Sequence, residues 1–361
     1  MRIMQLLGSS AGGVSQHVAQ VARLLDDAPG LEVIVASPGN LAEKFSPITQ
    51  HRTVEITDRP SLGDARVLGR IKQLVADVDV VHAHGLRAGA MAGIALGSMA
   101  RSHRPKLVVT LHNLPVGSFK VQSVTQVLER IVALRADAVL GVSSDLVDRM
   151  RAKRAKVHGR ALVPAPTLRE PHCTRDQTRR QLLGESAAQT KLVLTVARLA
   201  PQKGLDTAIE ASVLLNAAGV EHLWVVAGDG PLASGLEERA AQAGAAVRFL
   251  GRRTDIPELL NAADVVVNAA VWEGQPVAVQ EALRAGAAIV ATDVGGTRET
   301  AGDAALYVQA SNAEAMKVAV EQVLTVDQVK TGLQKRATKR SQQLPTESEV
   351  LESLTTLYQG L

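Results

Sequence analysis

The sequence predicts an α/β protein with two doubly wound parallel sheets, and three observations lead to this fold class. Short runs of β-branched residues alternate with longer amphipathic segments in both halves of the chain, which is typical of parallel strands joined by helices. The 361 residues exceed the size at which a single hydrophobic core stops growing. A stretch rich in proline and charge, residues 165–190, interrupts the alternation. We therefore expect two domains.

The predicted strands follow the short apolar runs. In the first half they lie near residues 1–7, 32–37, 78–83, 106–111, 137–142 and 160–163. In the second half they lie near residues 191–196, 222–227, 246–250, 264–268, 287–291 and 304–307. The predicted domains are an N-terminal domain (1–165), a linker (166–190), a C-terminal domain (191–337) and a terminal helix (338–361). The later part of the linker is a candidate first helix of the second domain.

Composition narrows the class of function. Aromatic residues make up only 2% of the chain, too few to build a surface on which bases stack, so we expect no nucleic-acid partner. The single cysteine, Cys173, excludes an intramolecular disulfide and suits the cytoplasm. The chain has no apolar run of 18 residues, and it begins like a strand rather than a signal peptide. These features predict a cytoplasmic protein.

Ligands of open parallel α/β sheets bind at the carboxyl ends of the strands, so residues that follow strands are the site candidates. The first such segment is Gly8–Val14, with Gly12 and Gly13 at the start of a helix. Glycine allows close backbone approach, and a helix N-terminus favours an anion. The segment lacks the GxGxxG pattern, which disfavours a nicotinamide site. A glycine-rich turn without a ligand is an equally good interpretation.

Histidines follow the next two strands. His82 and His84 point to the same side of their strand, but no third ligand lies nearby in sequence, which disfavours zinc. For His84, a place facing the ligand cleft and a structural role both remain open. His112 stands at the tip of the next strand in Thr110–Asn113, and it too is either functional or structural.

A basic loop follows the first strand of the second domain. Arg198 and Lys203 stand five residues apart, and Pro201 and Gly204 shape the turn between and after them. Arginine grips phosphate oxygens with two parallel hydrogen bonds, and lysine acts as a compact charge, so the loop suits a diphosphate. A solvated basic loop is the alternative.

A pair of acids is the most informative motif. Glu273 lies in a turn with Gly274, Gln275 and Pro276, and Glu281 follows eight residues later in a predicted helix. Eight helical positions are about 2.2 turns, so both carboxylates are expected on one side, one at the positive mouth of the helix. Two solvated acids on a helix face are the alternative. Two weaker glycine-rich turns, at 227–231 and 293–299, follow other strands.

Taken together, these motifs resemble the retaining glycosyltransferases of family 4, which have the GT-B fold. The resemblance covers nearly the whole chain, and the Glu273–Glu281 and Arg198–Lys203 motifs are its most specific parts. It implies two Rossmann-like domains that face each other across a cleft. It also implies that the C-terminal helix crosses back to the N-terminal domain.

The resemblance also implies roles for the site residues. Arg198 and Lys203 would hold the diphosphate of the donor, helped by backbone N–H groups of Gly12 and Gly13. Glu281 would accept hydrogen bonds from the ribose. Glu273 and the backbone of Gly274, Gln275 and Pro276 would meet the donor sugar, and His112 would lie near the reacting carbon. The catalytic candidates are therefore Glu273, His112, Arg198 and Lys203.

The expected reaction follows from these roles. It is transfer, with retention, of a hexose or N-acetylhexosamine from a nucleoside-diphosphate sugar, with UDP favoured over GDP. The acceptor would be a hydroxyl of a glycan, a lipid-linked or a small molecule in cell-envelope synthesis. Because two cations stabilise the leaving phosphate, no metal site and no cofactor are expected. The basic stretch 149–156 is either a solvated helix end or a patch for an anionic membrane surface.

Two departures from the family pattern stand out. Residues 163–166 read Val-Pro-Ala-Pro where the family commonly has Pro-Asn-Gly, and Asn268-Ala269 replaces a common Pro-Ser pair. Neither departure touches a residue that was given a chemical role. Three other functions are alternatives: a nicotinamide oxidoreductase, a sugar-nucleotide epimerase of similar fold, and a non-catalytic subunit that binds sugar nucleotide.

Overall fold

A computed structural model describes residues 1–9, 13–46, 50–57, 60–61, 63–114 and 119–361. The chain divides into two compact units. The first comprises residues 1–164 and 345–361, and the second comprises residues 165–344. Among the described residues, no helix is both long and apolar enough to cross a lipid bilayer.

The first unit is built on one parallel sheet. In its described part the strands are β1 (Arg2–Leu7), β2 (Glu32–Ser37), β3 (His51–Thr53), β4 (Val80–His84), β5 (Lys106–Leu111), β6 (Ala138–Gly141) and β7 (Val157–Arg160), in the spatial order β3-β2-β1-β4-β5-β6-β7. The helices between them are α1 (Gly13–Asp26), α2 (Asp64–Leu74), α3 (Leu86–Gly97), α4 (Phe119–Arg135) and α5 (Ser144–Ala152).

The second unit repeats this architecture with six described strands. They are β8 (Lys191–Val196), β9 (His222–Ala227), β10 (Val247–Phe249), β11 (Val265–Asn268), β12 (Ile289–Thr292) and β13 (Ala305–Val308), in the order β10-β9-β8-β11-β12-β13. Its helices are α6 (Arg175–Leu183), α7 (Leu205–Ala217), α8 (Ala233–Gln242), α9 (Ile256–Ala262), α10 (Val277–Arg284), α11 (Thr297–Ala301), α12 (Ala313–Thr325) and α13 (Asp327–Ser341).

Burial of the strands explains the sheets. β1, β4 and β5 are almost wholly buried, and their sequences are mainly apolar apart from Gln5 and the two histidines of β4. This is expected of parallel strands that helices cover on both faces. In each unit the first strand, β1 or β8, lies third in the strand order, and later strands are added on both sides of it. The predicted fold class, with two Rossmann-like parallel sheets, is confirmed.

The last helix, α14 (Glu347–Gln359), belongs to the first unit. Tyr358, near its end, is 3% exposed and contacts β1 and β4 through its hydroxyl. The predicted return of the chain to the N-terminal domain is therefore confirmed. The prediction of one helix over 338–361 was wrong, because α13 ends at Ser341 and Pro345 cannot continue a helix. Thr346 then caps the new helix α14 with a capping box.

Other differences concern short or polar segments. β3 was missed because it has three residues and lies at the sheet edge, and β7 begins three residues before its predicted position. The predicted linker, 166–190, lies in the second unit and contains α6. A capping box at Thr174 starts this helix, and the buried Arg179 donates to Asp264 at 2.9 Å. The later part of the predicted linker thus forms the first helix of the second unit, which confirms that expectation.

Asp264 is the anchor of this packing. Its carboxylate also accepts from Arg175 and Lys330, both at 2.7 Å, and from the Leu192 N–H at 2.9 Å. Burial by itself would raise the pKa of Asp264, but these hydrogen bonds and cations lower it to about 2. The carboxylate is therefore ionised and ties α6 and α13 to the sheet.

Candidate functional site

Two loops at one edge of the second sheet form the centre of the site. Strands β8 and β11 are neighbours, and the loops that follow them are joined by hydrogen bonds. The Val271 N–H donates to the carbonyl of Gln202 at 2.9 Å, and the Gln202 side chain donates to the carbonyl of Trp272 at 3.2 Å. These bonds bring the basic loop against the turn that contains Glu273.

The contact that results is an ion pair. Lys203 Nζ lies 2.6 Å from Glu273 Oε1, and the two side chains are 24% and 8% exposed. The family resemblance implies separate roles for these residues, the phosphate for Lys203 and the sugar for Glu273, whereas the structure joins them. An ammonium group has three N–H donors, and the carboxylate engages one of them. Lys203 can therefore be oriented by Glu273 and still bind an anion.

Asn268 is a contributor that the sequence analysis missed. Its amide nitrogen lies 3.4 Å from the same oxygen, Glu273 Oε1, and its amide oxygen accepts from the Ala270 N–H at 3.1 Å. The departure at 268–269 therefore does touch a candidate residue, contrary to the expectation. The signal was available, because Asn268 ends the strand that leads into the Glu273 turn.

Two glycines allow the loops to approach this closely. Gly204 has a φ of +57°, and a Cβ there would lie 2.1 Å from the carbonyl oxygen of Ala269. Gly295 has a φ of +49°, and a Cβ there would lie 1.9 Å from the carbonyl oxygen of Glu273. That oxygen also accepts from the Gly296 N–H at 2.9 Å. The turn after β12 thus supports the backbone of Glu273.

Arg198 lies in the same basic loop but differs from Lys203 in exposure. Its side chain is exposed and makes no ion pair or hydrogen bond to any residue that the structure describes. The next residue, Leu199, donates its N–H to the carbonyl of Asp229 at 2.8 Å, which attaches the loop to the 227–231 turn. Arg198 therefore has a long, exposed side chain on a backbone that hydrogen bonds fix in place, and this suits it to bind an anionic ligand.

The Glu273 turn ends at α10. Pro276 caps this helix, and its carbonyl accepts from the N–H groups of Val279 and Gln280 at 3.0 and 3.1 Å. Pro276 has no N–H to donate, so only its carbonyl could contact a sugar hydroxyl, and this predicted contact stays a prediction. Gly274 is buried and Gln275 is partly exposed in the turn before it.

Glu281 lies in α10, but the predicted helical spacing from Glu273 was wrong. The helix begins at Val277, so only four of the seven residues between the two acids are helical. Glu281 is partly buried, and no described residue forms an ion pair or hydrogen bond with its carboxylate. Burial raises its pKa to about 7. The group can therefore gain or lose a proton near neutral pH.

The first unit holds a buried histidine cluster at the ends of β4 and β5. His84 Nδ1 lies 3.1 Å from His112 Nε2, and His84 Nε2 lies 2.6 Å from Gln5 Oε1. The rings of His82 and His84 stack with centroids 4.3 Å apart, which confirms that they share one side of the strand. Burial lowers the pKa of His84 and of His112 well below the usual range, so both rings are neutral at pH 7.

His82 completes this cluster in a structural role. Its Nδ1 lies 2.6 Å from the Tyr358 hydroxyl, and its Nε2 lies 2.7 Å from Thr110 Oγ1. Both ring nitrogens are thus engaged, which leaves no lone pair for a metal. The His17 ring packs edge-on against His112 with centroids 5.4 Å apart, and its buried Nδ1 has no partner among the described residues. His17, Gln5 and Tyr358 were all missed in the sequence.

The glycine-rich segment is described only in part. Gly12 lies outside the described residues, and Gly13 is the first residue of α1. No atom of a described residue lies within 4 Å of the position that a Cβ at Gly13 would take, so packing among these residues does not require a glycine there. Its predicted contact with a diphosphate stays a prediction.

Each of the two units is similar to a known protein family. A family model described as Glycosyltransferase Family 4 matches residues 11–159, and one described as Glycosyl transferases group 1 matches residues 179–343. The chain is 28% identical over 347 residues to phosphatidyl-myo-inositol mannosyltransferase of Mycolicibacterium smegmatis, covering 91% of this chain and 85% of that protein.

Two further similarities concern a sequence and a solved structure. Over 240 residues the chain is 28% identical to UDP-Gal:alpha-D-GlcNAc-diphosphoundecaprenol alpha-1,3-galactosyltransferase of Escherichia coli, covering 60% of this chain and 58% of that protein. The crystal structure of Anabaena Alr3699/HepE in complex with UDP and glucose superposes with a TM-score of 0.82 at 19% identity, over all of both chains.

Proposed function

Because this chain belongs to the GT-B glycosyltransferases, with a family 4 domain followed by a group 1 domain, we propose that it transfers a hexose or N-acetylhexosamine from a nucleoside-diphosphate sugar. The observation that carries this proposal is the Lys203–Glu273 pair at the carboxyl edge of the second sheet. It places an oriented cation beside an acid, as a sugar diphosphate requires.

The donor is proposed to be a UDP-sugar. The Anabaena protein of similar fold was crystallised with UDP and glucose, which supports a uridine donor. The name of the mycobacterial relative, a mannosyltransferase, keeps a GDP-sugar as the competing donor. Lys203 and Arg198 would bind the diphosphate, and the ionised carboxylate of Glu281 would accept hydrogen bonds from the ribose hydroxyls.

The mechanism is proposed to be metal-independent transfer with retention. Cleavage of the bond between sugar and phosphate develops negative charge on the leaving diphosphate, and preorganised cations stabilise that charge. Lys203 supplies such a cation, and Arg198 supplies a second. The departing phosphate oxygen takes the proton of the acceptor hydroxyl, which attacks on the same face of the sugar. In this proposal Glu273 orients the sugar, and His112 lies near the reacting carbon.

The acceptor is proposed to be lipid-linked or part of a cell-envelope glycan. Two relatives act, by their names, on phosphatidyl-myo-inositol and on a diphosphoundecaprenol-linked sugar. Acceptor contacts are expected from residues 85–91 and from 113–120, of which 115–118 lie outside the described residues. A small-molecule acceptor is the alternative.

Contact with an anionic membrane surface is part of this proposal, but helix α4 supports it better than the basic stretch 149–156 does. Within residues 149–156, Arg149 and Lys153 both pair with the buried Glu129. In contrast, α4 exposes apolar side chains, with Val127 60% and Leu134 73% exposed. An exposed apolar helix face beside basic residues is typical of contact with a lipid surface.

Vesicle flotation tests the membrane proposal. The protein should float with phosphatidylglycerol vesicles at low salt, and a Val127→Asp/Leu134→Asp double variant should not. Gln126→Asp is the matched control, because it adds one charge to an exposed position of the same helix. Absence of flotation by the unaltered protein at low salt would remove the membrane proposal.

A donor screen tests the central proposal. Thermal unfolding is measured with UDP-, GDP- and ADP-sugars, since a ligand that binds only the folded state raises the unfolding temperature. The stabilising donor is then incubated with candidate acceptors, and NMR determines the anomeric configuration of the product. Conversion of the donor sugar without acceptor would instead indicate an epimerase. Donor binding without turnover on any acceptor would favour the non-catalytic subunit.

A further inference from the structure

We propose that Gln5 and His84 are positioning residues that hold His112 in one neutral tautomer, with the hydrogen on Nε2 and a lone pair on Nδ1. His112 would then meet a substrate as a hydrogen-bond acceptor, not as a donor. The first statement concerns the protein alone. The second rests on the proposed function.

The side-chain amide of Gln5 is fully buried in β1. In the β1–β4 pairing Gln5 lies opposite His82. His84 is two residues further along β4, and its side chain lies on the same face as that of His82. The Gln5 oxygen lies 2.6 Å from His84 Nε2, and the Gln5 nitrogen donates to the Tyr358 hydroxyl at 3.5 Å. Because an amide oxygen only accepts, His84 Nε2 must carry the hydrogen.

The His84 ring links the Gln5 amide to His112. A neutral imidazole has one donor and one acceptor nitrogen, so His84 Nδ1 holds a lone pair once Nε2 is protonated. That lone pair lies 3.1 Å from His112 Nε2, which must therefore donate. Burial lowers the pKa of both rings and keeps them neutral. The hydrogen of His112 is thus assigned to Nε2, and its Nδ1 accepts.

The other end of the chain of hydrogen bonds is consistent with this direction. The Tyr358 hydroxyl accepts from Gln5 and donates its own hydrogen to His82 Nδ1, 2.6 Å away. His82 Nε2 then carries a hydrogen and donates to Thr110 Oγ1 at 2.7 Å. In each hydrogen bond of this series the donor is on the His112 side and the acceptor is on the Thr110 side, so no two donors face each other. The orientation of the Gln5 amide sets this direction, because its two ends differ chemically.

Nitrogen NMR of the protein labelled with 15N-histidine, free of ligand at pH 7, tests the inference directly. The unaltered protein should show His112 with its hydrogen on Nε2, the signal being assigned by its loss in His112→Asn. In Gln5→Leu, which removes the acceptor for His84, the His112 signal should change to the other tautomer or to a mixture. A wild-type His112 protonated on Nδ1, or on both nitrogens, would overturn the inference.

Thr110→Val is the matched control, since it disturbs the same buried cluster but not the Gln5–His84–His112 segment. It should leave the His112 tautomer unchanged, so an unchanged spectrum in Gln5→Leu or a changed one in Thr110→Val would also overturn the inference. With donor and acceptor, Gln5→Leu should lower kcat by between about tenfold and the roughly 10⁴-fold cost of a wrong tautomer, with donor KM unchanged.

The two readouts separate this inference from the proposed function. The spectrum needs no substrate, so the expected tautomers in a protein without transferase activity would reject the proposed function alone. A normal kcat in Gln5→Leu, despite a changed tautomer, would reject the acceptor role of His112.

Discussion

The ammonium nitrogen of Lys203 lies 2.6 Å from a carboxylate oxygen of Glu273, although 70 residues separate them in sequence. One of these groups was expected to bind a phosphate and the other a sugar. Their contact means that neither is independent, because the acid orients the cation and the cation neutralises a nearly buried acid. The pair provides the first two predictions.

Lys203→Ala should lower turnover at saturating donor by about 10²–10³-fold, the usual loss when one preorganised charge is removed from a transition state. It should also reduce the free energy of unfolding by about 1.5–3 kcal/mol, because Glu273 loses a charged hydrogen bond. Steady-state kinetics and urea unfolding measure the two effects. Lys335→Ala, at an exposed position, should change neither. Unchanged turnover in Lys203→Ala would refute the phosphate role.

Replacing both partners should be less harmful to stability than the single changes suggest. Glu273→Gln with Lys203→Met removes both charges, so no uncompensated carboxylate remains beside the loop. The loss of unfolding free energy in the double variant should therefore be smaller than the sum of the two single losses. A double-mutant cycle in urea measures this coupling, and strict additivity would show that the contact carries no energy.

Gly295→Ala should lower kcat while the second unit stays folded. A Cβ at Gly295 would lie 1.9 Å from the Glu273 carbonyl oxygen, so the Glu273 turn must shift. Kinetics and circular dichroism measure activity and fold. Gly235→Ala is the control, because this glycine lies in α8 and, among the described residues outside its own helix, no atom lies within 4 Å of the added Cβ. The variant should be stable and active. Equal activity in both variants would contradict the close approach.

Donor binding should weaken below neutral pH because of Glu281. Its pKa is about 7 in the free protein, and ribose hydroxyls donate more strongly to the ionised carboxylate, so binding lowers that pKa. The Kd for UDP should rise by up to about tenfold per pH unit below 7, until the pKa of the complex is reached. Calorimetric titration measures this, and Glu281→Gln should abolish the Glu281 contribution. An identical pH dependence in Glu281→Gln would reject the ribose role.

Asp264→Asn should destabilise the second unit at neutral pH but not in acid. The folded pKa of Asp264 is lowered to about 2, so its stabilisation is present above the unfolded value near 3.9 and is lost as pH falls towards 2. The variant should lose about 2–3 kcal/mol of unfolding free energy at pH 7, with the difference from wild type shrinking below pH 4. Urea unfolding at both pH values measures this, and a constant difference would contradict the lowered pKa.

The elements that could be predicted from sequence are those with strong local patterns. β2, β5, β8 and β9 have the predicted bounds, because continuous apolar runs between turns specify buried parallel strands. β3 was not predictable in this way, since His51–Thr53 is polar and becomes a strand by pairing with β2. The break before α14 was signalled by Pro345 and Thr346, a helix stop followed by a cap.

For the site, sequence reasoning found residue types but not their partners. Lys203 and Glu273 were both singled out, yet their contact depends on β8 and β11 being neighbours in the sheet. Gln5 was missed, because an uncharged amide inside a strand has no distinct local pattern. Asn268 was noted only as a departure from the family pattern, although it ends the strand that leads into the Glu273 turn. The pKa of Glu281, raised to about 7, depends on burial that no local pattern specifies.

The amino-acid sequence by itself determined most of the strands and their order, the fold class of two parallel α/β sheets and the positions of charged groups at strand ends. These properties depend on periodicity and on turn chemistry, which act over a few residues. Only the tertiary structure decided which groups meet: Lys203 with Glu273, His84 with His112 and Gln5, and Tyr358 with His82. These contacts join residues tens to hundreds of positions apart, and strand order and close packing, rather than local pattern, bring such residues together.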